Sequence, residues 1–335
     1  MRKNYFKIGF LLFGVLIFLF FLYLFSHFGE AKKIPDLLLR LKWYILIGVL
    51  VLQFFFLENR GQIFKVLYNR FGIDLDLKES FLLFLASNSI NILAPSAGFS
   101  GIALYMSQAK RHGSSKTKIF LINVLSYFIN LVSLSVMLVA SFIYLFIVKK
   151  LNTYYLVSFA ILIGIIILII LTVFLSSYFK KAFIRITKFA ISVSNYFLKI
   201  VGATQIDHKS AGKLQRELIR TRKFIQKDKS AFFIPFFLFL LGNLYEIAML
   251  YLIMLSFGAT ASFWALQASY SVGLLFMIVS FTPAGVGVVE PLMTVALTSL
   301  GTPLEVSALT VVIFRIVTFW LPLPFGTIAA RKFLT

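Results

Sequence analysis

The chain has 335 residues, 60% of them hydrophobic, and a mean hydropathy of +0.94. An ordinary soluble domain holds about 45–50% apolar residues, so this composition excludes that class and points to a helical membrane protein. The formal charge of +21 is read as basic residues that flank spans and face anionic headgroups, which excludes a nucleic-acid partner.

Residues 1–7 precede about twenty apolar residues, roughly the length that spans a bilayer. This run is too long for the apolar core of a signal peptide and lacks a small-residue cleavage site, so an uncleaved span 1 is expected over about 6–26. Span 2, about 40–58, ends at Glu58-Asn59-Arg60, and a polar stretch with Lys65 and Arg70 follows. Asp74 and Asp76 read as N-terminal caps of the next helix. Residues 80–94 are apolar but short, carry Asn88 and Asn91, and run into Pro-Ser-Ala-Gly-Phe-Ser-Gly at 95–101. Basic residues bracket this unit on both sides, so it is expected to enter and leave the membrane on one face. Irregular backbone at such depth is tolerated only inside protein or beside a wet cavity.

Span 3 is expected over about 118–148 and span 4 over about 153–178. Region 180–229 carries thirteen Lys/Arg against three acids, which makes it a cytoplasmic loop. Within it Phe183, Ile186, Ala190, Val193, Phe197 and Ile200 form one apolar helix face, the pattern of an interfacial amphipathic helix. Span 5 covers about 231–257. Residues 263–282 and 290–300 flank a second break, and a last span, about 305–330, ends at Arg331-Lys332. The 27–42 loop and Lys149-Lys150 fall outside in this scheme despite their cations, because the central loop outweighs them.

An offset of 188 positions aligns the two halves: Pro95 with Pro283, Gly113 with Gly301, and Glu58 with Glu246. Glycine-rich interruptions at matching places in two halves are the mark of a transporter site at mid-membrane. The expected fold is all-α: a polytopic helical membrane protein with about six full spans plus two broken re-entrant hairpins that form an inverted repeat. One transmembrane domain, 1–335, then contains repeat 1 (about 40–148), the basic loop with its amphipathic helix (180–229) and repeat 2 (about 231–330). Both termini are expected to be cytoplasmic.

Ionisable groups at a helix centre cost about 2.5–3.5 kcal/mol each on the insertion scale, so they mark candidate sites. Glu246 and Arg315 lie inside apolar spans, and Glu290 follows the second break. Arg315 is read either as the grip on a lipid phosphate or as half of a buried structural pair with Glu290 or Glu246. Glu58, beside Arg60, is given a local surface role. Asn88, Asn91 and Ser96 surround the first break, where they either bind an anion or satisfy unwound backbone. Pro95, Gly98, Gly101, Pro283, Gly285 and Gly287 form the breaks themselves. Cysteine is absent and the three histidines, His27, His112 and His208, are scattered, so neither a metal nor another cofactor is expected. His-Glu-x-x-His, phosphate-loop and Gly-x-Ser-x-Gly patterns are missing, which favours a transporter over an enzyme.

Three segments resemble one known family. Asn-Ile-Leu-Ala-Pro-Ser-Ala-Gly-Phe-Ser-Gly (91–101) looks like its first signature, and Phe-Thr-Pro-Ala-Gly-Val-Gly-Val-Val-Glu (281–290) like its second. Phe-Arg-Ile-Val-Thr-Phe-Trp (314–320) resembles its Arg-containing last helix. The family is the lysylphosphatidylglycerol synthase transmembrane region, also called flippase-like, and the resemblance covers roughly 10–330. Where the family usually has an acid soon after the first glycine, this chain has Gly101-Ile102. Some members carry a soluble aminoacyl-transferase half; here a membrane unit alone is expected.

The resemblance implies a lipid or lipid-linked-substrate translocase in the cytoplasmic membrane and leaves the lipid open; the cargo expected here is an anionic or aminoacylated phospholipid, moved between leaflets. The alternative is a membrane-embedded transferase, or transferase subunit, that acts on polyprenyl-linked sugars. The implied partners are a phospholipid or lipid-linked substrate and a separate synthase. The positions that match the family are Asn91, Pro95, Gly98, Pro283, Gly285, Gly287, Glu290 and Arg315.

Overall fold

The computed structural model describes residues 34–39, 41–93, 99–149, 151, 153–179, 181, 183–185, 188–189, 192, 210–279 and 285–334. Span 1, the first-break residues Pro95, Ser96 and Gly98, Pro283, and most of the amphipathic face at 183–200 lie outside these residues.

The described residues are helical throughout their regular segments. In chain order the helices are α1 (Ile34–Leu39), α2 (Trp43–Arg70), α3 (Leu77–Leu93), α4 (Phe99–Ser107), α5 (Lys116–Ile147) and α6 (Thr153–Tyr178). They continue with α7 (Ser210–Lys227), α8 (Ser230–Ser256), α9 (Phe263–Val279), α10 (Val289–Ser299), α11 (Leu304–Arg315) and α12 (Pro322–Leu334). Among the described residues, the segments Trp43–Arg70, Lys116–Ile147, Ser230–Ser256 and Leu304–Phe333 are long and apolar enough to cross a membrane. Large apolar side chains such as Trp43, Phe54, Phe146, Phe237 and Phe325 are exposed on their outer faces. In water that surface would be unfavourable; against lipid chains it is solvated. The chain is therefore a multi-pass helical membrane protein.

The described helices follow a similar order in the two halves of the chain. Each half runs long helix, short helix, break, short helix, long helix: α2–α3–α4–α5 and α8–α9–α10–α11/α12. Helices α5 and α11 begin at Lys116 and Leu304, positions that differ by the same 188 seen in the sequence. Matching caps end the first helix of each half. Gly72 has φ +66° and Gly258 φ +75°. The next N–H returns to the helix at each place, Ile73 to the Tyr68 carbonyl at 2.9 Å and Ala259 to the Met254 carbonyl at 3.2 Å. Only glycine adopts this left-handed cap without strain.

The halves interlock. Helix α2 packs along α8, α3 along α12, and α9 along α5, so each short helix before a break rests on the closing helix of the other half. The α3–α12 crossing is close: a Cβ on Gly326 would overlap the Leu85 carbonyl and the Ser89 hydroxyl. Ser89 Oγ donates to the Leu323 carbonyl at 3.1 Å across the same crossing. Small residues that let backbones approach, with hydroxyls bonding across, are how helices associate inside lipid. Two apolar clusters fill the interior. One holds Val49, Leu134, Ile253, Leu275 and Val311. The other holds Ile63, Leu67, Leu83, Leu104 and Ile122.

Helix α2 continues twelve residues past the end expected at 58, to Arg70. Its first turn past Glu58 lies against protein, with Asn59 and Gly61 buried, whereas Asn69 and Arg70 at its end are exposed. Gly61 brings α2 so near α3 that a Cβ there would lie 3.0 Å from Phe81 Cα, and Ser80 Oγ donates to the Gly61 carbonyl at 2.5 Å. Of the two expected caps, Asp76 acts: its Oδ1 accepts the Glu79 N–H at 2.7 Å.

Candidate functional site

The closing helix of the second half is interrupted where the site forms. Residues Ile316–Trp320 make a π-helical turn between α11 and α12. Pro322 has no N–H to offer the preceding turn, and the Leu321 N–H reaches five residues back to the Ile316 carbonyl at 2.8 Å. Arg315 is the last residue before this turn, and its side chain is only 6% exposed.

Arg315 Nε donates to Glu290 Oε1 at 2.8 Å, and the Glu290 side chain is 3% exposed. The guanidinium also sits 4.4 Å from the Phe319 ring centroid, one turn on. The second carboxylate oxygen, Glu290 Oε2, accepts the Gly287 N–H at 2.8 Å. One carboxylate thus binds the buried cation and caps the glycine turn that starts α10. Gly285 and Gly287 have φ +70° and +82°. A Cβ on Gly285 would lie 2.6 Å from Val289 Cγ2 and 3.0 Å from Met277 Cα, whereas Gly287 faces open space.

The first break is closed by a neutral group. Asn91 Oδ1 accepts the Gly101 N–H at 2.6 Å. A Cβ on Gly101 would overlap Asn91 Nδ2 and the Ser87 hydroxyl, so α4 can return against α3 only with glycine there. The Tyr127 hydroxyl of α5 lies beside the Asn91 side chain. Asn88, three residues earlier on α3, is half-buried. The flanks of the two breaks meet in one small apolar cluster: Ile92 after Asn91, Val286 in the glycine loop, and Phe319 and Leu323 around the π turn.

The remaining candidate, Glu246, belongs to a different cluster. It is buried on α8, where it accepts the Tyr270 hydroxyl and faces Arg60 Nη2 at 3.6 Å. Of the two partners that the sequence left open for Arg315, the fold brings Glu290. Glu58, the offset mate of Glu246, is half-buried and accepts Gln62 Nε2 at 2.9 Å.

Sequence reasoning missed Tyr127, Tyr270 and the inward role of Arg60. A signal existed for Tyr127, because the offset of 188 carries Arg315 onto it and carries Glu290 onto Ile102. Arg60 was hidden by its neighbours: Glu58-Asn59-Arg60 reads as the polar end of a span until α2 is seen to continue.

The sequence matches the lysylphosphatidylglycerol synthase TM region family over residues 11–326. The chain belongs to that family. It is also similar to a UPF0104 membrane protein of Methanocaldococcus jannaschii, 24% identical over 325 residues, which covers 94% of this chain and 92% of the relative. The matched stretch thus includes both breaks and the Arg315–Glu290 pair.

Proposed function

We propose that the chain moves an anionic or aminoacylated phospholipid between the leaflets of the cytoplasmic membrane, with both termini on the cytoplasmic side. The observation that carries this reading is the Arg315–Glu290 pair, buried beside a glycine turn whose Gly287 N–H the same carboxylate accepts. A buried ion pair is a weak source of stability, since desolvation offsets most of its attraction. A lipid phosphate presents the guanidinium with two oxygens in fork geometry, a stronger match than one carboxylate oxygen. The phosphate therefore competes with Glu290 for Arg315. Glu290 withdrawn from Arg315 loses the charge that orients it, and its hold on the Gly287 N–H loosens. The turn from Gly285 to Val288 is then free to rearrange around the headgroup. At the first break Asn88, Asn91 and Ser96 offer neutral hydrogen bonds to the rest of the headgroup.

The site lies where two interlocked halves meet, which supports alternating exposure by rocking of one half against the other. In this reading the hairpins enter from opposite membrane faces. The chain has no native cysteine, so single cysteines at Gly113 and Gly301 report sidedness directly. They are expected to react with a membrane-impermeant maleimide from opposite sides; labelling from one side refutes the inverted arrangement. Translocation itself is tested with purified protein in vesicles that carry labelled phosphatidylglycerol, lysyl-phosphatidylglycerol or phosphatidylcholine in one leaflet. Faster exchange of the first two is expected. Absence of exchange for every lipid overturns the reading.

A further inference from the structure

A second buried charged cluster lies where α2 and α8, the opening helices of the two halves, pack together. Glu246 accepts the Tyr270 hydroxyl from α9 and faces Arg60 of α2. The Arg60 contact is loose, at 3.6 Å, where a tight charge-assisted bond is about 2.7–2.9 Å. The guanidinium rests instead near two rings, 4.7 Å from the Phe56 centroid and 5.1 Å from that of Phe239. Beside it, Asn59 Oδ1 is buried without a hydrogen-bond partner. Both groups lie close against Gly242: a Cβ there would lie 3.1 Å from Asn59 Oδ1 and 3.6 Å from Arg60 Cζ.

We propose that Glu246 is a proton-binding site that couples lipid movement to proton movement. The coupling rests on the translocation reading above; the proton site does not. The cluster has two satisfied arrangements. With Glu246 ionised, its charge holds Arg60 and Tyr270 donates to it. With Glu246 protonated, the attraction to Arg60 is gone, and the guanidinium turns to Asn59 Oδ1, the acceptor that waits beside it. The Tyr270 hydroxyl serves both states, as a donor to a carboxylate and an acceptor from a carboxylic acid. A metal cation does not suit this place, because the Arg60 charge already occupies the open side of the carboxylate.

The titratable groups that face Glu246 are Arg60 from α2 and Tyr270 from α9. Helix α5 contributes Ser133, which accepts Asn243 Nδ2 at 3.2 Å one turn away. Helix α11 contributes Phe314, whose ring meets that of Tyr270 edge-on at 6.3 Å. Phe314 is the neighbour of Arg315, so a displaced Tyr270 is felt at the second break by direct contact. Helix α9, which carries Tyr270, also leads into that break.

Two readouts test the proposal. The first is infrared difference spectroscopy of the purified protein across the range in which buried carboxyls titrate, about pH 4 to 9. A protonated carboxyl band that titrates in the wild type is expected to vanish in Glu246→Gln; its persistence overturns the site. If Glu246→Gln does not fold, Tyr270→Phe replaces it, and the band midpoint must move; an unchanged midpoint overturns the site. The second readout is the steady-state leaflet distribution of labelled phosphatidylglycerol in vesicles with an imposed pH gradient. One proton per lipid sets a roughly tenfold asymmetry per pH unit, lost in Glu246→Gln. An even distribution in the wild type, or an asymmetry that survives in Glu246→Gln, overturns the coupling. Lipid that moves under no condition overturns the translocation reading and the coupling with it, and the band alone then decides whether Glu246 binds a proton.

Discussion

At the first break a neutral amide, Asn91, accepts the Gly101 N–H at 2.6 Å. At the second a carboxylate, Glu290, accepts the Gly287 N–H at 2.8 Å and binds Arg315 with its other oxygen. The offset that maps one half onto the other replaces Glu290 by Ile102 and Arg315 by Tyr127. The architecture is common to both halves, and the charge belongs to one. An amide joins the two helices across the first break; at the second, Glu290 ties Gly287 to the start of its own helix and carries an ion pair besides. That surplus is why the second break is read as the place where a phosphate competes, and the first as its neutral counterpart.

The largest test of this contrast removes the cation. Arg315→Leu leaves Glu290 buried without its cation, at a cost of about 3–5 kcal/mol. Melting temperature in detergent should fall clearly, and Glu290→Leu added to it should restore much of the loss. A single variant as stable as the wild type would show that the pair is solvated rather than buried. The glycine loop offers the next test. Gly285→Ala forces an alanine to φ +70° and into Val289, and left-handed strain alone costs about 1–3 kcal/mol. Gly287→Ala keeps the strain but meets open space, so it should melt higher than Gly285→Ala; the reverse order would refute the packing described.

The neutral half should respond less. Asn91→Leu leaves the Gly101 N–H without its acceptor, which costs about 1–3 kcal/mol, again read by melting. Asn91→Asp keeps an acceptor but adds a charge with no matching Arg, so it should be at least as damaging as Asn91→Leu if the first break must stay neutral. The smallest effect lies away from both breaks. Asp228, between α7 and α8, is held below its ordinary carboxylate range by the Ser230 hydroxyl, the Ser230 N–H and Arg70. A lowered value means that its contribution is present above about pH 4 and is lost as the pH falls through the folded value. Asp228→Asn should therefore lower the melting temperature slightly at neutral pH and leave it unchanged in acid.

Much of this organisation was legible in the chain. The helical membrane class, the order of helices and the unusual acids and arginine follow from hydropathy and glycine spacing, because lipid excludes polar groups strongly enough to leave a clear pattern. Pairing was not legible. Whether Arg315 meets Glu290 or Glu246 depends on how α10, α11 and the π turn pack, and spacing along the chain does not encode that. Arg60 was assigned to a polar flank for a related reason. Its neighbours Asn59 and Gly61 look like a helix end, yet Gly61 seats α2 against Phe81 and Arg60 turns inward to Glu246. Asn91 was placed at the break from sequence, but its clasp on Gly101 needs α4 folded back, which only the tertiary structure supplies.

The central claim is that Arg315 trades Glu290 for a lipid phosphate. Its most direct measurement is exchange of labelled phosphatidylglycerol in vesicles by the wild type and by Arg315→Lys, each first shown to melt as a folded protein. Lysine keeps the charge and loses the planar fork. The account predicts exchange by the wild type and a loss of roughly tenfold or more in the variant, the equivalent of about 1.4 kcal/mol at the phosphate. Equal exchange by the two proteins would contradict it.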